Sequence, residues 1–429
     1  MKTRYLYLIF LSAQLFSAFS FSQNAKIESK YTKELAQLVK NKQVQSSFSF
    51  IEKNDEVTIH QMIELTEVIA APFKETKRAL LFKKMLEEAG ADKIWIDEVG
   101  NVLALRKGVS SKKLIGLDAH LDVVFPEDTD VRVKKVGDTL KAPGIGDDTR
   151  GLSMVITVLK AMNQSKIKTE NDILFVGSVG EEGLGDLRGM KHLFYNSELK
   201  IDSWISIDGG EIGRINNAAL GSKRYKVLLT GPGGHSWGSF GLANPHHALG
   251  KAIDEFTKQA SEFTSSGPKT SFNVGVIGGG TSVNSIPFES WMEVDMRSVS
   301  AERLIAIEAI LKTSVNKAIA EYNTTNVKDK ITVAFEKIGD RPSGELSEST
   351  PLIQRAMAAT TTFGITPKLT IGSTNASIPI ALNIPAICIG RGGEGGGAHS
   401  LNEWFVNKNG SEAIQLALLI TLSEAGLAK

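Results

Sequence analysis

The sequence predicts an α/β fold in which one discontinuous domain is interrupted by an inserted α+β unit. Three observations carry this. First, from Val102 onward short apolar runs alternate with a helical pattern. Val102–Leu105 and Leu114–Leu117 have strand character, Gly151–Met162 is apolar at helical spacing, and Ile173–Val179 and Trp204–Ile207 are strand-like again. Alternation of this kind builds a layered domain around a largely parallel sheet. Second, the middle of the chain runs strand Tyr225–Thr230, helix Pro245–Ala260, strands Ser271–Ile277 and Ser290–Ser298, helix Ala301–Tyr322 and strand Ile331–Ile338. The order β-α-β-β-α-β is that of a ferredoxin-like unit. Third, the first pattern returns from about Glu345, with strands Lys368–Ile371 and Ala386–Ile389 and a closing helix over Ser411–Ala425. Residues 26–217 and 339–429 are therefore expected to form one domain, split by an inserted domain over 218–338.

The elements ahead of the alternation are helical. Lys26–Lys42 places Ile27, Tyr31, Leu35 and Leu38 at helical spacing, and Thr58–Ala70 and Lys77–Ala89 follow on either side of Pro72. A chain of 429 residues suits two or three domains, and its formal net charge of +1 gives no basic surface for nucleic acid. Residues 1–22 stand apart. Lys2 and Arg4 precede an apolar stretch from Tyr5 to Phe21, which ends in the small-x-small pattern Ser20-Phe21-Ser22. This is the pattern of a secretory signal peptide, cleaved before Gln23. It predicts a secreted or periplasmic protein with no stable membrane anchor after cleavage. The single cysteine, Cys388, excludes an intramolecular disulfide.

Acids and imidazoles cluster just past the apolar runs. His120 and Asp122 follow Leu114–Leu117, Glu181 and Glu182 follow Ile173–Val179, Asp208 follows Trp204–Ile207, and His399 follows Ala386–Ile389 through a glycine loop. Asp147 lies in Gly-Ile-Gly-Asp-Asp, where Asp148 has the place of a helix N-cap. Functional groups of open α/β sheets gather at the carboxyl ends of strands. Two imidazoles and several carboxylates at one such place suit a pair of divalent metal ions. Adjacent carboxylates at a sheet edge repel unless a metal or proton compensates, so the Glu pair divides naturally into one ligand and one general base. A carboxylate can bridge two metals, and Asp147 is the candidate. Asp122 suits the carboxylate that fixes the tautomer of His120. His235, in Gly-Pro-Gly-Gly-His-Ser-Trp-Gly, lies in the insertion, where Asn284 and Arg297 could hold a polar substrate.

In this order the segments resemble the zinc exopeptidase family of peptidase T, aminoacylase, carboxypeptidase G and succinyl-diaminopimelate desuccinylase. The motifs are Ala-His-Leu-Asp at 119–122, Gly-Asp-Asp at 146–148, Gly-Glu-Glu at 180–182, Asp208, Gly-Gly-His-Ser at 233–236, Gly-Ser-Thr-Asn-Ala at 372–376, and Ala-His-Ser with Glu403-Trp404. The resemblance implies a zinc-exopeptidase (phosphorylase/hydrolase-like) catalytic domain with a ferredoxin-like dimerisation domain inserted in it. It implies two divalent ions, zinc, with cobalt or manganese able to substitute in vitro. Asp147 would bridge them, with His120 and Asp208 on one and Glu182 and His399 on the other. Glu181 would be the base, Asp122 would orient His120, and His235 would reach the active site of a homodimer partner to stabilise the oxyanion. The bond Asp147–Asp148 would be cis. Asp rather than Glu at 208 is similar to members that act at a free amino terminus, which implies an aminopeptidase on short peptides. The rival is an N-acyl-amino-acid amidohydrolase or carboxypeptidase, and a remote alternative is a non-catalytic binding protein. The chain departs from the family at Arg150, where many members carry Lys, and at Asn375, where many carry Asp. Asn375 is also taken as substrate-binding.

Overall fold

The computed structural model describes residues 26–324 and 328–428. The expected signal peptide, 1–22, lies outside them. Among the described residues no helix is long and apolar enough to cross a membrane.

A nine-stranded sheet forms the larger layer. Its order is Lys93–Ile96, Val102–Arg106, Asp172–Ser178, Leu114–His120, Ser203–Ile207, Ala386–Ile389, Arg214–Ala219 and Gly344–Glu345, with Lys368–Gly372 pairing beside Arg214–Ala219. The four central strands, 172–178, 114–120, 203–207 and 386–389, run parallel. Strands 93–96 and 102–106 add antiparallel on one side, and 214–219 on the other. The sheet is thus parallel where the sequence shows continuous apolar runs, which is the pattern of strands buried on both faces. Its antiparallel side begins with a tight turn, where Asp97 Oδ1 accepts from the amides of Val99, Gly100 and Asn101 at 2.8–3.1 Å.

Helices Thr149–Gln164, Pro351–Thr362 and Gly410–Ala425 share one buried core with this sheet. Among the longer helices, the sequence pattern passes over Lys42–Lys53 and Pro351–Thr362. The first reads as polar and serine-rich. It is started by the Asn41 side chain, which accepts from the amides of Gln43 and Val44, and it buries Val44, Ser47 and Ile51.

The ferredoxin-like unit is a four-stranded antiparallel sheet in the order Thr270–Gly279, Glu289–Ser298, Gly221–Thr230, Thr332–Arg341. Helices Pro245–Thr264 and Ala301–Thr324 share a core of its own with it, in which Phe256 meets Phe272 edge-on at 5.4 Å. A third sheet joins chain from both sides of the insertion, since Trp404–Val406 pairs with Thr139–Lys141. That pairing sets Glu403 beside the 144–147 loop.

Candidate metal centre

The parallel strands deliver their carboxyl ends to one place. His120 is the last residue of its strand, Glu181 and Glu182 follow the strand ending at Ser178, and Asp208 follows the strand ending at Ile207. Asp147 comes from the loop before helix Thr149–Gln164. Asp148 caps that helix, its side chain accepting from the Gly151 amide, and the Asp147–Asp148 bond is cis. His399 enters from the glycine loop with a positive φ of 63° and stays 56% exposed on its side chain.

The Asp147 carboxylate sits between the two imidazoles. His120 Nε2 is 3.0 Å from Asp147 Oδ1, and His399 Nε2 is 3.3 Å from Asp147 Oδ2 and 2.9 Å from Glu182 Oε1. Ligand atoms of His120, Asp147 and Asp208 lie within 4.8 Å of one another, and so do those of Asp147, Glu182 and His399. Both groups contain Asp147. A third, His120 with Glu181 and Glu182, overlaps them.

The electrostatics are those of crowded acids. Burial, and then the charge of Asp147, push Asp208 up to about 6. Burial and the neighbouring Glu182 push Glu181 well up, against the opposing charge of Arg341. Burial would also raise Asp147, but hydrogen bonds from His120 and His399 outweigh it and hold that carboxyl below the usual range. Hydrogen bonds to Asp147 and Glu182 in turn push His399 up to about 10. Oxygen and imidazole ligands in two groups sharing one carboxylate fit a pair of divalent cations, which would supply the positive charge that the acids lack.

Two sequence expectations are corrected here. Asp122 does not hold His120 through its carboxylate. His120 Nδ1 lies 2.9 Å from the Asp122 main-chain carbonyl and 3.8 Å from the nearer carboxylate oxygen. That carboxylate instead accepts from the amides of Glu181 and Glu182, at 3.0 and 2.7 Å, and so fixes the turn carrying them. Asn375 does not face a substrate surface. It is 3% exposed and donates at 2.6 Å to both Asp118 Oδ2 and Ser178 Oγ, beneath the strand ends. An Asp at 375 would set two buried carboxylates in contact, which is a physical reason for the amide here.

His235 lies apart from the cluster, in the two-residue strand Gly234–His235 of the insertion, and is exposed. Its Nδ1 accepts from the amides of Trp237 and Gly238 at 3.2 and 3.3 Å. The neutral ring therefore carries its proton on Nε2, where it can donate. Asn284 is exposed, and its carbonyl accepts from the Ser236 amide at 2.9 Å, bracing that loop. Arg297 pairs with Asp295 at 2.7 Å and is 38% exposed.

Sequence reasoning missed Arg341, the last residue of the final strand of the insertion. Its Nη1 donates to Glu181 Oε1 at 3.0 Å and its Nη2 to the Glu181 carbonyl. The strand it ends, Thr332–Arg341, mixes apolar with charged residues, so no local signal set this arginine apart. Glu403, which the sequence marks only by its place in Glu403-Trp404, accepts from the amides of Gly144, Gly146 and Asp147 at 2.7–3.0 Å.

The family model for peptidase family M20/M25/M40 matches residues 116–422, most of the chain and every candidate ligand. The chain belongs to this family. It is a hydrolase with the ligand set of a metallopeptidase. A Pyrococcus abyssi protein named as a LysW-lysine/LysW-ornithine hydrolase is 30% identical over 167 residues, which is 39% of this chain and 42% of that protein. The chain thus spans less than half the length of that curated relative. Among solved structures, the aminopeptidase PepT of Bacillus cereus is similar with a TM-score of 0.68 and 19% identity, covering 87% of this chain and 99% of PepT. A Bacillus subtilis member described as a dinuclear metal-binding peptidase is similar with a TM-score of 0.62 and 17% identity, covering 88% of this chain and 99% of that one. At such identities these likenesses carry the fold.

Proposed function

We propose that this M20 hydrolase is a di-metal exopeptidase that removes the N-terminal residue of short peptides, with zinc as its native metal. The observation that carries the reading is the Asp147 carboxylate lying between His120 and His399, with Asp208 and Glu182 completing two groups of ligand atoms. His120 and Asp208 would hold one ion, Glu182 and His399 the other, and Asp147 both. When bound, the ions supply Lewis acidity, polarising the scissile carbonyl and making water a competent nucleophile near neutral pH.

The chain's own residues do the rest. Glu181 takes the proton of the attacking water at a carboxylate oxygen and returns it to the leaving amine. Arg341, on Glu181 Oε1, favours the charged form of that carboxylate against the burial and the Glu182 charge that push it up, and holds its orientation. Asp122 holds the main chain of Glu181 and Glu182, and Glu403 that of Asp147. In a homodimer, His235 of the partner subunit donates from Nε2 to the developing oxyanion, the contribution that commonly weighs most in acyl transfer. Asn284 braces the His235 loop, while Arg297 is taken up by its ion pair with Asp295. Asp208 and the likeness to PepT support a free amino terminus as the recognised end. The pattern of residues 1–22 supports export.

A panel of free dipeptides, tripeptides and N-acetyl amino acids, incubated with the zinc-loaded protein and read by mass, tests the reading. Release of N-terminal residues is expected. Release of acetate or of C-terminal residues alone overturns it.

A further inference from the structure

Beneath the cluster lies a buried acid that the chemistry above does not use. Asp118 is fully buried on the His120 strand. Its Oδ1 accepts from Trp204 Nε1 and Ser206 Oγ, both at 2.6 Å. Its Oδ2 accepts from Asn375 Nδ2 at 2.6 Å and Ser178 Oγ at 3.1 Å. Gly116 makes the first contact possible, because a Cβ there would lie 2.0 Å from the Trp204 ring.

We propose that Asp118 is a positioning residue for the metal site: through these four hydrogen bonds it fixes the spacing of the strand ends that carry His120, Asp208 and the Glu181–Glu182 pair. The proposal rests on the di-metal reading above. Strand residues two apart share a face, so Asp118 stands one step below His120, and Ser206 one step below Asp208. The register agrees. Asp118 pairs with Ser206 across the sheet, and His120 pairs with Ser178. Ser178 ends the strand that leads to Glu181, and Asn375 belongs to the loop ahead of helix Ser377–Ala381. One carboxylate therefore ties three neighbouring strands and a loop just under the ligand layer.

The chemistry demands an acceptor at this position. The Trp204 indole can only donate, and the Asn375 amide faces Asp118 with its nitrogen. A carboxylate has acceptor sites for all four partners. An amide at 118 puts a donor where one carboxylate oxygen stood, and the contact to 375 then survives only if the Asn375 amide turns its unpartnered Oδ1 to that donor, giving up its present bonds to Asp118 and Ser178. In either orientation the charge that the four donors share is lost, their bonds weaken, and the strand ends they tie are free to shift.

The test is a swap across the 118–375 contact. Zinc affinity, by competition with a chromophoric chelator, and the visible spectrum of the cobalt form are compared for wild type, Asp118→Asn, Asn375→Asp and the double variant, with the melting of each metal-free protein recorded. Each single variant is expected to bind zinc about 10- to 100-fold more weakly, the scale found for groups that support metal ligands from behind. The double variant restores one carboxylate and one amide and is expected to recover most of the affinity and the wild-type cobalt spectrum. Wild-type affinity and spectrum in Asp118→Asn would overturn the proposal, and so would a double variant no tighter than the weaker single one. If Asp118→Asn does not fold, Ser206→Ala removes one donor and keeps the carboxylate. Weaker zinc binding at unchanged fold then supports the proposal, and unchanged zinc binding overturns it. Failure of the wild type to bind any divalent ion is a separate result, which overturns the di-metal reading itself.

Discussion

The nine-stranded sheet and the ferredoxin-like sheet treat buried charge in opposite ways. In the ferredoxin-like unit the half-buried acids are paired within it. Glu308 meets Lys223, Lys312 and the Tyr225 hydroxyl, and Asp295 meets Arg224 and Arg297. At the carboxyl edge of the large sheet, Asp147, Glu181, Glu182 and Asp208 crowd together, and Arg341 is the one Lys or Arg side chain in ion-pair contact with any of them among the described residues. Paired charge holds a fold together at little net gain. An excess of one sign in a buried place persists only where something else supplies the opposite charge, and that contrast marks the functional end of the molecule.

The contrast can be broken or sharpened in several ways. The largest expected effect is on turnover. Glu181→Gln should lower kcat by about 10²- to 10⁴-fold while metal content stays at the wild-type level. Full activity in that variant would remove Glu181 as the base. Metal removal comes next. The holoprotein should be more stable than the apoprotein by about 4 kcal/mol when free metal stands a thousandfold above its dissociation constant. By hydrogen exchange, the loss of protection on chelation should fall on the strand ends and loops at His120, Asp147, Glu181 and Asp208 and spare the strands between Gly221 and Arg341. Equal loss in both regions would erase the distinction between them.

Arg341 links the two regions, because it ends a strand of the insertion yet pairs with Glu181. Removing it in Arg341→Met takes away the opposite charge that lowers the Glu181 carboxyl. The base must be ionised to act, so the acid limb of kcat/KM should move to higher pH, by about 1 pH unit or more. An unmoved limb would assign Arg341 to holding the insertion in place and nothing further. The smallest effect belongs to the insertion. Burial would raise Glu308, but hydrogen bonds from Lys223, Lys312 and Tyr225 outweigh it and hold the carboxyl at about 2. A lowered carboxyl pKa contributes stability above the unfolded value and loses it as pH falls through the folded one. Glu308→Gln should therefore reduce the drop in melting temperature between pH 5 and pH 2.5, by an amount worth about 1 kcal/mol or less given solvent screening.

The convergence of the candidate ligands was legible because His120, Glu182, Asp208 and His399 follow apolar runs whose strand ends meet in a parallel sheet, while Asp147 was marked by its Gly-Ile-Gly-Asp-Asp loop. The ferredoxin-like order was legible for a similar reason, since its strands and helices are long and regular. What sequence could not supply was which way a side chain turns at a strand end. Asp122 was expected to face the imidazole, and its carboxylate turns to the amides of the neighbouring turn. Asn375 was expected to face substrate, and it turns down to Asp118, 257 positions away in the chain. Arg341 pairs with Glu181 across 160 positions. Contacts at such separations follow from how strands are ordered in the sheet, and no local pattern encodes them. The parallel core was read correctly, but its antiparallel flanks depend on short turns such as Asp97–Asn101, which carry little periodicity.

The central claim is that the crowded acids are held by metal. Elemental analysis of protein purified without chelator, repeated on His120→Ala and His399→Ala, tests it most directly. The account predicts about two divalent ions per chain in the wild type and a loss of occupancy in each variant. A wild type free of zinc, cobalt and manganese, or variants that keep full occupancy, would contradict it.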